Sequence, residues 1–162
     1  MNTINLSAPE IVTFPETHLV GMSSDMSFAQ NTTQQLWQQF MPRRKEVEAL
    51  NNDLFSVQYY PEGFFDSFNP TTAFTKCAAV QVQPGAAVPQ DADTFVIPEG
   101  KYAVFQYKGN PANGAGVFRY ILTEWLPQSG YVLDRRPHFE ILGDKYKNGS
   151  NDSEEAIFIP VK

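Results

Sequence analysis

An internal repeat with an almost constant offset is the feature that most constrains the fold. Three short segments recur in the same order at offsets of 83, 85 and 84 residues. They are Phe14-Pro15-Glu16 with Ile97-Pro98-Glu99, Phe40-Met41-Pro42 with Trp125-Leu126-Pro127, and Phe55-Ser56-Val57 with Phe139-Glu140-Ile141. Chance explains such a series poorly, so the sequence predicts a duplicated unit. A chain of 162 residues suits one domain whose two small halves share a core.

Hydrophobic periodicity predicts a β-α-β-β unit in each half. The first half has predicted strands at 11–24, 54–60 and 77–83, and a helix over 32–50 that Pro42 kinks or restarts. The second half has predicted strands at 95–107, 138–145 and 155–161, and a helix over 115–126 that Pro127 ends. The predicted fold class is therefore α+β. Two antiparallel units, each with one helix, are expected to meet at a pseudo-two-fold axis with a central ligand cleft.

The predicted domain covers residues 11–162, with the repeats at about 11–84 and 94–162. Residues 1–10 carry little pattern and are expected to form a loose lead-in.

The strand that begins after Pro137 holds the main candidate for a binding residue. Alternation places His138 and Glu140 on one face and Phe139 and Ile141 on the other. The two apolar residues suit a core, whereas a carboxylate in mid-strand lies either on a solvated face or at the floor of a cleft. Its counterpart in the repeat is Ser56, so only one half supplies the charge. His138 shares this face. It is either a cleft residue or solvent-exposed, and its position at the strand start favours exposure.

The strand that begins at Cys77 supplies further candidates. Alternation groups Cys77, Ala79 and Gln81 on one face and Val80 and Val82 on the other. The two valines suit the core under the helix, which predicts that Cys77 and Gln81 line the cleft. Cys77 is more typical of a small packed residue than of a reactive thiol, because no basic neighbour is evident.

Four aromatic residues complete the candidate lining. Tyr107 ends a strand and either walls the cleft or packs elsewhere. The others lie on apolar helix stripes, for which core packing is the stronger interpretation: Trp37, Phe40 and Trp125.

The segment 61–75 contains four Phe among Pro, Asn and Thr. It is predicted to be a long loop that folds over the cleft mouth or the sheet edge, because so much exposed apolar surface is unusual on a soluble protein. If all four rings were exposed, a partner interface would be the better interpretation.

Composition excludes several classes of protein. The net charge is −6 and the single basic run, Arg43-Arg44-Lys45, is followed by Glu46 and Glu48, so direct nucleic-acid binding is not expected. One cysteine and two histidines predict no disulfide, no metal site and no cofactor. No apolar run approaches the roughly 18 residues of a membrane span, and the N-terminus lacks a signal-peptide pattern, so a cytoplasmic location is expected.

Three runs give the chain a family resemblance over roughly residues 11–162. Leu36-Trp37-Gln38-Gln39-Phe40-Met41-Pro42-Arg43-Arg44, Trp125-Leu126-Pro127-Gln128-Ser129-Gly130-Tyr131 and Arg136-Pro137-His138-Phe139-Glu140 together resemble the gyrase-inhibitor-like (GyrI-like) family. This is also the effector-binding domain of some AraC-type and MerR-type transcription regulators. The resemblance implies paired β-α-β-β units around a cleft that binds bulky, often cationic and aromatic, compounds, with a buried carboxylate at Glu140.

The resemblance leaves three functions open. The first is a stand-alone module that captures hydrophobic or cationic aromatic small molecules. The second is hydrolysis of cyclopropane-containing electrophilic toxins, with Glu140 as the catalytic residue. The third is binding to a protein partner such as gyrase or a regulator through the segment 61–75. Two positions depart from the family, where Cys77 is often Trp and Gln81 often Glu, and this argues against a two-carboxylate hydrolytic mechanism. The chain has no room for a helix-turn-helix, so a direct role in transcription is not expected.

Overall fold

The fold is one antiparallel sheet of eight strands with helical segments against it. It was obtained as a computed structural model that describes residues 5–162. Across the sheet the strands follow the order β1-β6-β8-β7-β3-β4-β2-β5. Their bounds are β1 Glu10–Phe14, β2 Thr17–Met26, β3 Leu54–Tyr59, β4 Phe74–Gln81, β5 Asp93–Ile97, β6 Gly100–Lys108, β7 His138–Leu142 and β8 Glu154–Pro160.

This strand order confirms the predicted duplication. When β1 is exchanged with β5, β2 with β6, β3 with β7 and β4 with β8, the same strand order is obtained, read from the opposite edge of the sheet. The register agrees, because Glu10 pairs with Val104 and Asp93 pairs with Gly21, and both members are shifted by 83 residues. The pseudo-two-fold axis therefore passes between β3 and β7, where Ser56 lies opposite Glu140.

The two halves exchange their first strands, which the sequence did not predict. β1 pairs with β6 of the second half, and β5 pairs with β2 of the first half. The chain reverses partner at Pro15-Glu16 and again at Pro98-Glu99, where the proline lacks a ladder donor. Each half is therefore completed by a strand from the other.

The expected loose lead-in is corrected for the residues that the structure describes. Leu6 bridges to Tyr107, and the Ser7 amide donates to the Gln106 carbonyl at 2.9 Å, so this segment extends the pairing along β6. The remainder of the expected lead-in, residues 1–4, lies outside the described residues.

The helical segments differ between the halves. Helix α1 spans Thr33–Phe40 and continues as a 3-10 segment over Met41–Glu46, with Pro42 in its first turn. In the second half, helix α2 (Gly114–Tyr120) runs through a π-helical turn at Ile121–Trp125 into α3 (Leu126–Ser129). Pro127 therefore does not end the helix as predicted. It lies in the first turn of α3, and the helix ends at Gly130, whose φ of 82° favours glycine.

Three apolar clusters hold the layers together. Under α1, Leu36 and Phe40 pack on Val80 and Val82, as predicted from the alternation of β4. Under α2, Val117 and Ile121 pack on strands β6 and β8. The third cluster lies on the other face, and there the ring of Phe14 on edge strand β1 lies 5.0 Å from that of Phe139 on central strand β7. Only a strongly curled sheet brings these strands so close.

Within residues 5–162 no helix is long and apolar enough to cross a membrane. In the same range no group of three or more His, Cys, Asp or Glu is placed to hold a metal ion.

Candidate functional site

The candidate site lies on the helix-facing side of the two central strands. Ser56 on β3 is opposite Glu140 on β7, and Gln58 is opposite His138. Ala78 on β4, next to Ser56, packs in the cluster under α1, which identifies the face. The predicted pairing of Glu140 and His138 on one face is therefore seen in the structure, between the helical segments of the two halves.

The Glu140 carboxylate is only partly satisfied by its surroundings on this face. Its Oε2 atom is buried and, within the described residues, has no hydrogen-bond partner. Burial raises the pKa of Glu140 above its ordinary value, while the Lys76 ammonium and the Gln58 amide act in the opposite direction. An unpaired buried carboxylate is costly to keep ionised.

Two further charged residues surround this carboxylate. Burial lowers the pKa of Lys76, and the charges of Glu140 and Glu155 partly oppose that shift. Its Nζ donates to Thr33 Oγ1 of α1 at 3.1 Å. Burial, helped by the charge of Glu140, raises the pKa of Glu155 to about 7, and Lys76 opposes this. The cleft floor thus holds two carboxyl groups and one ammonium group.

Aromatic rings cover this floor. The centroid of the His138 ring lies 4.9 Å from that of Tyr60 and 5.7 Å from those of Phe65 and Phe118. Tyr60 and Phe65 are 4.8 Å apart, and Tyr60 stacks on Phe118 at 6.1 Å. We call these four rings the aromatic cover. Tyr60 and Phe65 come from the first half and the other two from the second, so the cover spans the pseudo-two-fold axis.

His138 is a buried member of this cover and is not solvent-exposed. It is 5% exposed, and its Nδ1 atom has no hydrogen-bond partner within residues 5–162. Burial lowers the pKa of His138 to about 3, so the imidazole is neutral at ordinary pH. The cleft therefore contains two orphaned polar atoms, one on each of two residues of the same strand.

The expectation that Cys77 and Gln81 line this cleft is wrong in its geometry. Cys77 is opposite Val57 on β3, and Val57 is opposite Phe139, so Cys77 lies on the face away from Glu140. It is fully buried there, and burial raises the pKa of its thiol to about 12. Gln81 shares that face and its Oε1 accepts from Asn51 Nδ2 at 3.4 Å. The error arose because the alternation of β4 was assigned to the cleft without the cross-strand register.

The other candidates belong to the packing around the cleft. Phe40 is 1% exposed in the core under α1, with Trp37 against it at 6.2 Å. Trp125 packs edge-on to Phe105 at 5.1 Å, in the core under α2. Tyr107 shares the helix-facing side, but its hydroxyl donates to the Asn110 carbonyl at 3.0 Å and so holds the turn after β6.

The segment 61–75 packs largely inward, as predicted. Phe64 and Phe74 are buried, Phe65 is half-buried in the aromatic cover, and Phe68 is 52% exposed. Because the rings are not all exposed, the segment serves mainly to cover the cleft and sheet edge.

Sequence reasoning missed several residues of the site. Lys76 and Glu155 lie at strand ends, where a charged residue is ordinarily solvated, and no sequence signal marks them as partners of Glu140. Tyr60 and Phe118 fall in the predicted strand 54–60 and the predicted helix 115–126, and periodicity alone does not show that their rings meet. The cross-strand register could have found Lys76, since Gln58 pairs with both His138 and Lys76.

Two surface cavities lie away from this site. One of about 500 Å³ borders the π-helical turn and is lined by Tyr120, Trp125 and Gln128, among others. The second, of about 880 Å³, lies beside the 3-10 segment near Arg44 and Asp144. Neither is lined by a residue of the aromatic cover, so the chemistry of Glu140 and not cavity size identifies the candidate site.

A duplicated, curled antiparallel sheet with an acidic, ring-covered cleft at its pseudo-two-fold axis defines a class of small-molecule-binding domain. The chain belongs to the GyrI-like family: the family described as "GyrI-like small molecule binding domain" matches residues 7–162. The family expected from the three sequence runs is thereby confirmed.

Known proteins of different description resemble this chain in sequence or in fold. The chain is 28% identical to the transcriptional regulator BrlR of Pseudomonas aeruginosa over 152 residues, which is 93% of this chain and 54% of the regulator. It therefore spans about half the length of that relative. The structure of SAV2435 bound to tetraphenylphosphonium has a similar fold, with a TM-score of 0.66, 15% identity, and 96% and 94% of the two chains covered. So does a hydrolase from Listeria innocua, with a TM-score of 0.58, 14% identity, and 96% and 92% covered.

Proposed function

We propose that this domain captures bulky aromatic cations in the cleft between its halves, with the Glu140 carboxylate as the charge that selects them. The observation that carries the proposal is the buried Oε2 atom of Glu140, which has no hydrogen-bond partner in the described residues, on a carboxylate whose charge acts on Tyr60 of the aromatic cover. A cation at this position would supply the missing partner and lower the pKa that burial has raised.

The aromatic cover supports the second half of this specificity. Rings of Tyr60, Phe65 and Phe118 offer faces for cation–π contacts, each worth about 0.5–2 kcal/mol. These rings pack against one another, so a guest enters by separating them. Phe65 is the ring that we expect to move, because it lies in the connection between β3 and β4, outside the strands and helices. SAV2435, which has a similar fold, binds tetraphenylphosphonium, an aromatic cation of this class.

The test is calorimetric titration with two ligands of the same shape: the naphthylmethyl-trimethylammonium ion and neutral neopentylnaphthalene. Glu140→Gln preserves shape and should weaken binding of the cation by roughly 1.5–3 kcal/mol, the range for a charge-assisted contact. The neutral ligand should lose much less. Glu48→Gln, at an exposed carboxylate, is the matched control and should change neither affinity. Equal affinities of wild type and Glu140→Gln for both ligands would refute the assignment.

Hydrolysis of a strained electrophile is the second candidate, and one observation favours it. Glu155, with its pKa raised to about 7, provides a second carboxyl group near Glu140, although Gln81 does not. A carboxyl group with such a pKa suits general acid–base catalysis at neutral pH. Incubation with a cyclopropane-containing alkylating agent should then give a ring-opened product that neither Glu140→Gln nor Glu155→Gln forms. Absence of product with wild-type protein would leave capture as the better description.

A further inference from the structure

We propose that the cleft selects cations that carry an N–H group, held between Glu140 Oε2 and His138 Nδ1, over quaternary cations of the same size. This inference rests on the proposed function and adds a specificity-determining residue, His138, to it. It names the ligand class as protonated amines with an aromatic body.

The first step is the pairing of two orphaned atoms. Glu140 Oε2 and His138 Nδ1 are both buried and both lack a hydrogen-bond partner within residues 5–162, and of the other buried side-chain polar atoms there only Arg136 Nη1 shares this state. The Arg136 guanidinium has partners through its other atoms: its Nε donates to the Asp134 carboxylate at 3.1 Å, and the group lies over the Tyr102 ring at 4.6 Å. Natural proteins rarely leave buried polar atoms unpaired, so two such atoms at one place indicate a missing guest.

The second step is their spacing. His138 and Glu140 are two residues apart on β7 and point to the same face, which separates their Cα atoms by roughly 7 Å in an extended strand. Neither atom can satisfy the other, since they are not hydrogen-bonded in the structure. A protonated amine with two or more N–H groups can donate one to each acceptor, because two hydrogen bonds of about 2.8–3.0 Å bridge a gap of up to roughly 6 Å.

The third step is the kind of atom that each presents. An ionised carboxylate accepts hydrogen bonds and cannot donate them. His138 is buried among Tyr60, Phe65 and Phe118, where a neutral ring is favoured, and a neutral imidazole has one accepting nitrogen. With the proton on Nε2, Nδ1 is that acceptor. Two acceptors on one face of β7 call for donors, and a protonated amine has the charge for Glu140 and one N–H for each acceptor.

A quaternary ion meets only part of this demand. It has positive charge and can use the aromatic cover, but it has no N–H group for either acceptor. Both Oε2 and Nδ1 would then stay unpaired in a site that the ligand has closed to water. The free-energy cost of leaving a buried acceptor without a donor exceeds the net free energy that one hydrogen bond contributes. The preference for an N–H cation should therefore depend on His138, whereas the preference for any cation over a neutral molecule should depend on Glu140.

The experiment adds naphthylmethyl-methylamine, which is protonated at neutral pH and then carries two N–H groups, to the quaternary and neutral ligands named above. Wild type should bind the amine about tenfold or more tightly than the quaternary ion. His138→Phe keeps the ring and removes both nitrogens, so it should abolish this preference while changing the affinity for the quaternary ion by less than about threefold. His138→Gln is the second variant, used if the Phe variant does not fold.

A spectroscopic readout separates a direct contact from a structural effect. In protein labelled with ¹⁵N-histidine, the Nδ1 signal of His138 should shift as an acceptor does when the amine binds, and not when the quaternary ion binds. Equal affinities for the two cations, with Glu140→Gln weakening both, would overturn the inference and leave the proposed function standing. Failure of every cation to bind, or indifference to Glu140→Gln, would overturn both.

Discussion

The two halves of the molecule share one scaffold but place different side chains at the cleft. Phe55 and its counterpart Phe139 are both buried and stack on each other at 6.0 Å. Their neighbours toward the cleft differ, because Ser56 in the first half corresponds to Glu140 in the second. Lys76 corresponds to Glu155 in the same way. Phe55 pairs with Ala79, which is three residues after Lys76, and Phe139 pairs with Phe158, which is three residues after Glu155.

The connections that follow the equivalent strands differ as strongly. After β3, residues 60–73 carry Tyr60, Phe64, Phe65 and Phe68, and two of these rings enter the aromatic cover. After β7, residues 143–153 are rich in Gly, Asp, Lys, Asn and Ser. The first half therefore supplies the ammonium and two of the four covering rings, and the second half supplies the other two rings and both carboxyl groups. The comparison teaches that duplication builds the frame, while the site depends on the positions at which the halves differ.

The shared scaffold can be tested by a matched pair of truncations, which should have the largest effect. Phe139→Ala removes a ring that is fully buried and stacks on Phe158 at 4.4 Å. Phe55→Ala removes its counterpart. Each change should lower the free energy of unfolding by about 3–5 kcal/mol, because a cavity remains. Urea denaturation measures both. A cost below about 1 kcal/mol for one of them would show that the halves do not share the core equally.

The sequence predicted the scaffold well because its signals are local and repeated. Strand and helix periodicity, the Pro-Glu breaks and the constant offset placed Phe55 and Phe139 in equivalent strands, as the structure confirms. The exchange of β1 and β5 could not be read in this way, since strand partners depend on how the sheet curls. The continuation of the second helix past Pro127 was missed because a proline in the first turn of α3 needs no hydrogen-bond donor there.

The site was predictable only in part. Glu140 was found because a mid-strand carboxylate among apolar residues is unusual, and His138 followed from alternation along the same strand. Cys77 and Gln81 were assigned to the wrong face, because a single strand does not reveal which of its sides meets the cleft. Lys76 and Glu155 needed the cross-strand register, which no local pattern contains. Whether any of these residues binds a ligand remains a prediction.

The charge difference between the halves should appear in the pH dependence of stability. Burial raises the pKa of Glu155 from 4.5 to about 7, so the protonated carboxyl stabilises the fold below about pH 4.5, and this stabilisation is lost as pH rises through about 7. Glu155→Gln cannot ionise. Relative to wild type, it should therefore gain about 1–3 kcal/mol on going from pH 4.5 to pH 8, an order-of-magnitude figure for such a shift.

The comparison must be made between proteins, since other groups titrate in the same range. Glu140 shifts in the same direction as Glu155, whereas neutral His138 stabilises the fold above its unfolded pKa and loses that contribution as pH falls toward about 3. The groups whose charges or rings face Glu155 are Glu140, Lys76, Tyr107 and Tyr146. Urea denaturation at several pH values gives the difference curve. A curve that is flat across this range would show that Glu155 is solvated, and that the second half contributes one buried carboxyl group and not two.

The smallest expected effect concerns the first half's own cation. Lys76 supplies a positive charge near Glu140 and so competes with a cationic ligand for the same carboxylate. Lys76→Met keeps the length and apolar stem of the side chain and removes the charge. At about pH 8, where the carboxylate is more populated than at lower pH, it should tighten binding of the naphthylmethyl-trimethylammonium ion by roughly three- to tenfold, with little change for neopentylnaphthalene. Lys45→Met, at an exposed lysine, is the control for net charge and should change affinity by less than about twofold.

Near pH 5 the gain in cation affinity from Lys76→Met should shrink, because loss of Lys76 raises the pKa of Glu140 further and protonation then removes the ligand's partner. If Lys76→Met instead weakens cation binding at both pH values, the ammonium of the first half positions the Glu140 carboxylate of the second half and does not compete for it.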